Sequence, residues 1–405
     1  MRTRAVAPIA LLPLLAACGL DGPEGLFVQL YGRVTTEHGD FGSGLDVSIA
    51  SSDGALILET TTDKNGWYSV AVLATELEGH ALQVQIDGDG YAPTLAWIDL
   101  TLDQGELMSM PSHPPQIWSL WARQLPPLQV ALDAASGQAE GLILDTATGL
   151  PAVEDVGGQE LPLVLEIELR EGWNAPDSEL VVTTITTGLA ALQGRWLVSG
   201  IAPGSYTARV RGDGGFTAAR FPVLVRAETQ RELLATVTRA LATDEIRAAL
   251  VWGDSPADLN LHVTGPRGSV APGESQYERF HVWDEAPYHP ANASDVHDRV
   301  VTMDLLADDG LGPESLSVHD MRSAGAYRFT VFDHSNASDP SGESLGWSSA
   351  MVQLWIGTRE PRFFEVTPGL EGNLWTVAEW DSDADIVYRY AELIGAEDEH
   401  DIELF

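Results

Sequence analysis

Short runs of alternating apolar and polar residues, broken by Gly, Asp, Asn and Pro, fill most of the chain. Long stretches with an apolar residue at every third or fourth position are missing. A period of two puts successive side chains on opposite faces of a strand, so the pattern predicts antiparallel β-structure. Near the start, Phe27, Gln29 and Tyr31 alternate with Val28, Leu30 and Gly32, and Leu45, Val47 and Ile49 share one face of a second run. Residues 60–62 and 67–70 flank Asp63-Lys64-Asn65-Gly66, whose Asn-Gly step tolerates the positive φ of a tight turn between two strands. Further strands are expected at 81–86, 163–169, 181–185, 250–253, 258–263, 280–283 and 325–331. A proline-rich stretch, with Pro111, Pro114, Pro115, Pro126 and Pro127, also carries Trp118 and Trp121, which predicts packing along a sandwich edge rather than a loose spacer. The expected fold class is all-β. Tandem antiparallel β-sandwich domains are placed at 26–108, 137–240 and 244–390, with a Pro-rich connection at 109–136 and an acidic tail at 391–405.

The first residues follow a different pattern. Arg2 and Arg4 precede an apolar stretch from Ala5 to Leu15, which ends in Leu15-Ala16-Ala17-Cys18. This is the layout of a secretory signal, and the stretch is shorter than the roughly 20 apolar residues that a spanning helix needs. With a thiol directly after the small residues, the run resembles the lipobox of bacterial lipoproteins. That resemblance implies that residues 1–17 are a cleaved lipoprotein signal peptide, that Cys18 is lipidated, and that 18–25 form a tether. The body would then be exported and anchored to a membrane by acyl chains. Gly19, rather than an aspartate, follows the cysteine, which favours the outer membrane or cell surface over the inner membrane.

Composition narrows the partners. A hydrophobic fraction of 44% with 12 tryptophans supports packed cores, and a net charge of −38 excludes nucleic acid and repels anionic lipid headgroups. Such a surface suits solubility and attracts divalent cations and basic proteins. Cys18 is the only cysteine, so no internal disulfide and no thiolate metal site can form. Lys64, the single lysine, sits in a turn, which argues against an isopeptide cross-link.

Three resemblances follow from local motifs. Gly32-Arg33-Val34, the Thr-Asp-x-Asn-Gly-x-Tyr hairpin at 62–68, and Gly90-Tyr91 resemble the carboxypeptidase regulatory-like domain, a small transthyretin- or CnaB-like β-sandwich. Gly141 to Pro151 and the closing hairpin Trp196 to Thr207, with its Gly-x-x-Pro-Gly-x-Tyr pattern, resemble a divergent second copy. Here Thr187-Gly188-Leu189 stands where the Asp-x-Asn-Gly turn would be. Trp252, the strand Asp258-Leu259-Asn260-Leu261-His262, Gly312-Pro313-Glu314 and Gly325-Ala326-Tyr327 resemble the YfaP-like bacterial domain, although Asn260 replaces a usual acidic residue.

Candidate chemistry concentrates in that last segment. On a strand, Asp258, Asn260 and His262 project from one face, about 7 Å apart, while Leu259, Leu261 and Val263 face the core. Calcium takes six to eight oxygen ligands, and Asp258, Asn260, Asp304, Asp308 and Glu314 form a candidate set. A zinc site would use His262 and His281 with a carboxylate. A solvated strand face is the third reading. Asp381-Ser382-Asp383-Ala384-Asp385, with Glu392, has EF-hand-like spacing, but Ile386 occupies the glycine position, so an acidic turn is expected there. Trp283, Tyr288, Trp347 and Trp355 are candidates for a carbohydrate-stacking platform, or else core residues. Gly-x-Ser-x-Gly, His-Glu-x-x-His and phosphate-cradling loops are absent from the sequence.

The function this predicts is a non-catalytic binding or structural module of the cell envelope, two sandwiches forming a stalk and the third carrying a candidate calcium site. Its partners would be the membrane and an envelope protein or carbohydrate. The alternatives are a metal-dependent hydrolase using His262 and His281, and an accessory subunit of an envelope complex docked through an exposed apolar patch.

Overall fold

The structure, a computed structural model, describes residues 27–51, 56–73, 77, 81–99, 108–109, 121–175, 179–189, 191–227, 232–266, 279–292, 295–307, 310–319, 321, 325–383, 386–389, 393–396 and 402. The lipobox with Cys18 lies outside them, as do Asp308 and most of the acidic tail. The described part is all-β apart from a 3-10 turn at His334–Asn336 and one helical turn at Ser344–Trp347. No described helix is long and apolar enough to cross a membrane.

The first module is built from β1 (Phe27–Thr36), β2 (Asp46–Ser51), β3 (Ile57–Thr61), β4 (Trp67–Leu73), β5 (Ala81–Asp87), β6 (Thr94–Asp99), β7 (Met108–Ser109), β8 (Trp121–Gln124) and β9 (Leu128–Val130). One sheet runs β4-β1-β8-β7, with β9 also on β1, and the other runs β3-β2-β5-β6. Alternation works as expected in β2, where Val47, Ile49 and Ser51 are buried and Asp46 is exposed. Two expectations change. Residues 121–130, assigned to the connection, supply β8 and β9, which pair parallel with β1. The turn at Asp63–Gly66 forms as expected, with Asp63 Oδ1 accepting from Asn65 N at 2.8 Å and Trp67 N at 3.0 Å and with Gly66 at φ 76°. It does not close a hairpin, however. The strands it joins, β3 and β4, belong to opposite sheets, so the chain crosses the sandwich there.

The second module consists of β10 (Gly137–Asp145), β11 (Val153–Asp155), β12 (Glu160–Pro162), β13 (Glu166–Glu171), β14 (Leu180–Ile185), β15 (Arg195–Ile201), β16 (Gly204–Val210), β17 (Ala219–Val225) and β18 (Glu232–Val237). Its sheets are β15-β10-β18 and β14-β13-β16-β17, with β11-β12 as a separate hairpin. The four-stranded sheet repeats that of the first module, and the last strand again lies parallel to the first, while the other sheet has three strands instead of five. The expected closing hairpin is again a crossing, from β15 in one sheet to β16 in the other. Tyr206 Oη braces it by donating to Ala202 O at 2.7 Å. Both modules use one packing device. Gly32 lies opposite Tyr68 and Gly141 opposite Trp196, where a Cβ would collide with the ring.

The third module contains β19 (Ile246–Val251), β20 (Asn260–Pro266), β21 (Arg279–Val282), β22 (Tyr288–Asn292), β23 (Asp295–Leu305), β24 (Glu314–Val318), β25 (Ala326–Phe332), β26 (Met351–Ile356), β27 (Arg362–Glu365), β28 (Leu374–Asp381), β29 (Ile386–Arg389) and β30 (Leu393–Ile394). Two sheets, β22-β23-β24-β19-β26-β27 and β21-β20-β25-β28-β29 with β30 on β28, enclose a core around Leu261, Phe329, Leu316 and Trp375. Strands β28 and β29 pair antiparallel, and Ser382 and Asp383 begin the turn expected between them, with Asp383 N donating to Asp381 Oδ1 at 2.9 Å.

The modules do not form an extended stalk. Strand β26 sends Val352, Leu354 and Ile356 into its own core and Met351 and Trp355 into an apolar cluster shared with the first two modules. Trp355 Nε1 donates to Ala218 O at 3.0 Å. Between the second and third modules, the Gln353 side chain accepts from Thr236 N at 2.7 Å and donates to Arg220 O at 3.1 Å. The first module also touches the third directly. Arg33 donates to Pro368 O and stacks on Phe41, and Phe41 meets Trp347 at 5.4 Å between ring centroids. Trp173 lies where all three meet. Its main chain exchanges hydrogen bonds with Leu95 and Trp97 of the first module, and its indole N–H donates to Glu365 of the third at 2.8 Å.

Candidate functional site

Strand β20 should expose one face, yet it is buried on both along nearly its whole length. Leu259, Leu261 and Val263 face the sandwich core as expected. Opposite them, Asn260 is buried and His262 is 0% exposed. On that side Trp283 stacks on His262, and Phe332 belongs to a small apolar cluster with Leu374, Ala396 and Ile402. Phe332 lies edge-on to His262, with an interplanar angle of 85°. The solvated-face reading therefore fails for His262 and Asn260. Asp258, just before the strand, is the partly exposed member, and its main chain is tied to Ser335.

His262 and His281 do come together. His262 Nδ1 and His281 Nε2 are 2.8 Å apart, so one ring donates its proton to the other. Trp283 stacks on both, with interplanar angles of 17°. Trp283 is thus a buried partner of the histidine pair rather than a sugar platform. A zinc site needs at least a third protein ligand. Among the described residues no group of three or more His, Cys, Asp or Glu is placed to hold a metal ion.

The calcium candidates are divided between two neighbourhoods. Asp304 is held by Thr302 Oγ1 at 3.0 Å, by Ser317 Oγ and by Arg247 at 3.4 Å. Arg247 in turn donates to Thr146 Oγ1 of the second module, so Asp304 belongs to a module junction. Glu314 lies elsewhere, 2% exposed, with Oε2 accepting from Leu261 N at 2.7 Å. Burial pushes its carboxyl well above the ordinary value of 4.5, and the nearby Asp258 and Asp284 push the same way. The sequence pattern did not mark Asp333, another buried acid. It is fully satisfied by Asn336 and Ser344 and caps the 3-10 turn.

Glu314 supports a pH prediction. A carboxyl whose folded pKa is raised adds stability that is fully present below its unfolded value and is lost as pH rises through the folded one. As pH rises above the ordinary carboxylate range the native chain is therefore expected to lose stability, by up to about 1.4 kcal/mol per pH unit through this group. Glu314→Gln keeps the acceptor for Leu261 N and removes the ionisation. Calorimetry at pH values above that range should show a flatter pH profile for the variant, and an unchanged profile would refute the assignment.

The remaining aromatic candidates are scattered. Trp355 is buried at the junction, Tyr288 is exposed, and Trp347 is 41% exposed with its indole N–H on Glu343. Two surface features were not located by the sequence expectations. Most exposed large apolar side chains among the described residues fall within 150–197, including Leu180 and Ile185 on edge strand β14 and Leu197 on edge strand β15. A cleft of about 450 Å³ also opens where the three modules meet, lined by Gln129, Trp173, Leu224, Leu234, Trp252 and Met351 among others. Neither was visible in advance, because each depends on which sheet edges remain unpaired after packing.

No protein-family model matches the chain, and no curated protein matches it in sequence. Among solved structures, the Bacillus anthracis TIE protein aligns at 10% identity over 84% of this chain, with a TM-score of 0.19; the chain spans only 49% of that protein's length. GBS52, the minor pilin of Streptococcus agalactiae, aligns at 12% identity over 52% of this chain and 96% of its own, with a TM-score of 0.19. The shaft pilin spaA of Lactobacillus rhamnosus GG aligns at 11% identity over 53% and 98%, with a TM-score of 0.17. At such scores the superpositions carry no argument, and the all-β sandwich architecture rests on the strand pairing described above.

Proposed function

We infer that the chain is a non-catalytic structural module of the cell envelope, exported and tethered through lipidated Cys18. The observation that carries this reading is the internal use of its reactive groups. His262 and His281 bond to each other, Asp304 is tied to Ser317 and Arg247, and Asp333 caps a turn. A hydrolase would instead keep such groups free to meet substrate and water. The resemblance of Leu15-Ala16-Ala17-Cys18 to a lipobox supplies the address. The interlocked modules suit a rigid body held at a membrane surface.

The test is Cys18→Ser in the exporting host. The native protein is expected in the membrane pellet, with an acylated N-terminal cysteine seen by mass spectrometry. The variant should leave the membrane fraction and keep residues 1–17. Native protein recovered from the cytosol without fatty acid would overturn the proposal.

A further inference from the structure

The cleft between the modules is the seam between two open sheet edges, β17 and β18. Each has a partner on one side only, β16 for β17 and β10 for β18. Both ends of the seam are already bridged. At one end the Gln353 amide accepts from Thr236 N and donates to Thr236 O at 3.3 Å and to Arg220 O. At the other, beyond the start of β18, Arg226 exchanges two main-chain hydrogen bonds of 3.0 Å with Gln138 of β10.

Alternation along a strand fixes what lies between. Thr236 directs its N–H and C=O away from β10, so Leu234, two residues earlier, does the same. On β17, Arg220 and Arg226 point away from β16, so Leu224 does as well. Pro222 fits this phase, since its missing N–H falls on the unpaired side. Leu224 and Leu234 both line the cleft. Among the described residues, neither residue's outward N–H or C=O has a hydrogen-bond partner. These groups form one stretch of strand edge between two points where an amide already sits.

We propose that the seam binds an extended, basic peptide segment of a partner protein, which adds a short strand along Leu234 of β18. Gln353 marks the register, because its side-chain amide makes the contacts that a ligand peptide group would make one step further along the edge. Strand addition obtains affinity from main-chain bonds and specificity from alternate side chains. The cleft volume of about 450 Å³ lies within the range of ligand sites, roughly 300–1,000 Å³. Trp252, Met351 and Leu311 offer apolar contact; of the charged lining residues Glu140, Glu232, Asp254, Glu365 and Arg226, only Arg226 is basic, and although Glu232 is paired with Arg195 the lining stays acidic in a chain of net charge −38. Charge complementarity therefore selects Lys or Arg at the alternate positions.

The probe is a fluorescein-labelled heptapeptide of alternating Lys and Val, with the Glu–Val peptide as its counterpart, titrated against the full chain. The basic peptide is expected to bind with a Kd of about 10–100 μM, the acidic one at least tenfold more weakly. Leu234→Pro removes the outward N–H at a position where an edge strand tolerates proline, and should weaken binding tenfold or more. Hydrogen exchange on the unmutated chain gives an independent readout: the peptide should slow exchange at the Leu234 and Leu224 amides. Equal affinity for both peptides, undiminished binding to Leu234→Pro, or no protection at 224 and 234 would each overturn the proposal.

Discussion

Trp173→Ala is expected to loosen the third module from the second while leaving the first attached. The residue is 5% exposed, and its indole supplies the hydrogen bond to Glu365 and an edge-to-face contact with Phe363 at 5.2 Å. The bonds to Leu95 O and from Trp97 N are main-chain and survive truncation. Removing a buried tryptophan costs about 3–5 kcal/mol, and here Glu365 also loses its Trp173 donor. Calorimetry should resolve one cooperative transition in the native chain into two in the variant, the earlier one belonging to residues 244–389. A variant that melts as one unit at the native temperature would show that Trp173 is not the joint.

Gln353→Leu should have the next largest effect. One amide serves both neighbouring strand edges, accepting from Thr236 N and Thr236 Oγ1 and donating to Arg220 O and Thr236 O. Leucine fills similar space but leaves those groups buried against an apolar chain. Each orphaned group costs about 1–3 kcal/mol, and because the four share one site a combined loss of roughly 3–5 kcal/mol is expected. Urea unfolding of the full chain measures this. A loss below about 1 kcal/mol would mean that water replaces the amide and that the seam is wet at that end.

Local patterning was readable where one face of a strand meets solvent. Strand β2 buries Val47 and Ile49 and exposes Asp46, and the Asp63–Gly66 turn forms with the expected positive φ at Gly66. The same logic misled at β20. Asn260 and His262 are polar and alternate with leucines, yet they are buried. Alternation shows that two faces differ but not what lies over the second one. At β20 the rings that meet His262, from His281, Trp283 and Phe332, lie 19 to 70 positions away on other strands and loops. At β26 the cover for Gln353 and Trp355 is another module.

By itself the sequence determined the all-β class, most of the alternating strands and the turn at Asp63–Gly66, since each follows from short-range alternation and backbone preference. Tertiary structure alone decided which sheet each strand joins, that Trp173 ties three modules together, and that the edges of β17 and β18 stay open at Leu224 and Leu234. These outcomes depend on contacts between residues far apart in the chain, and a period of two contains no information about them.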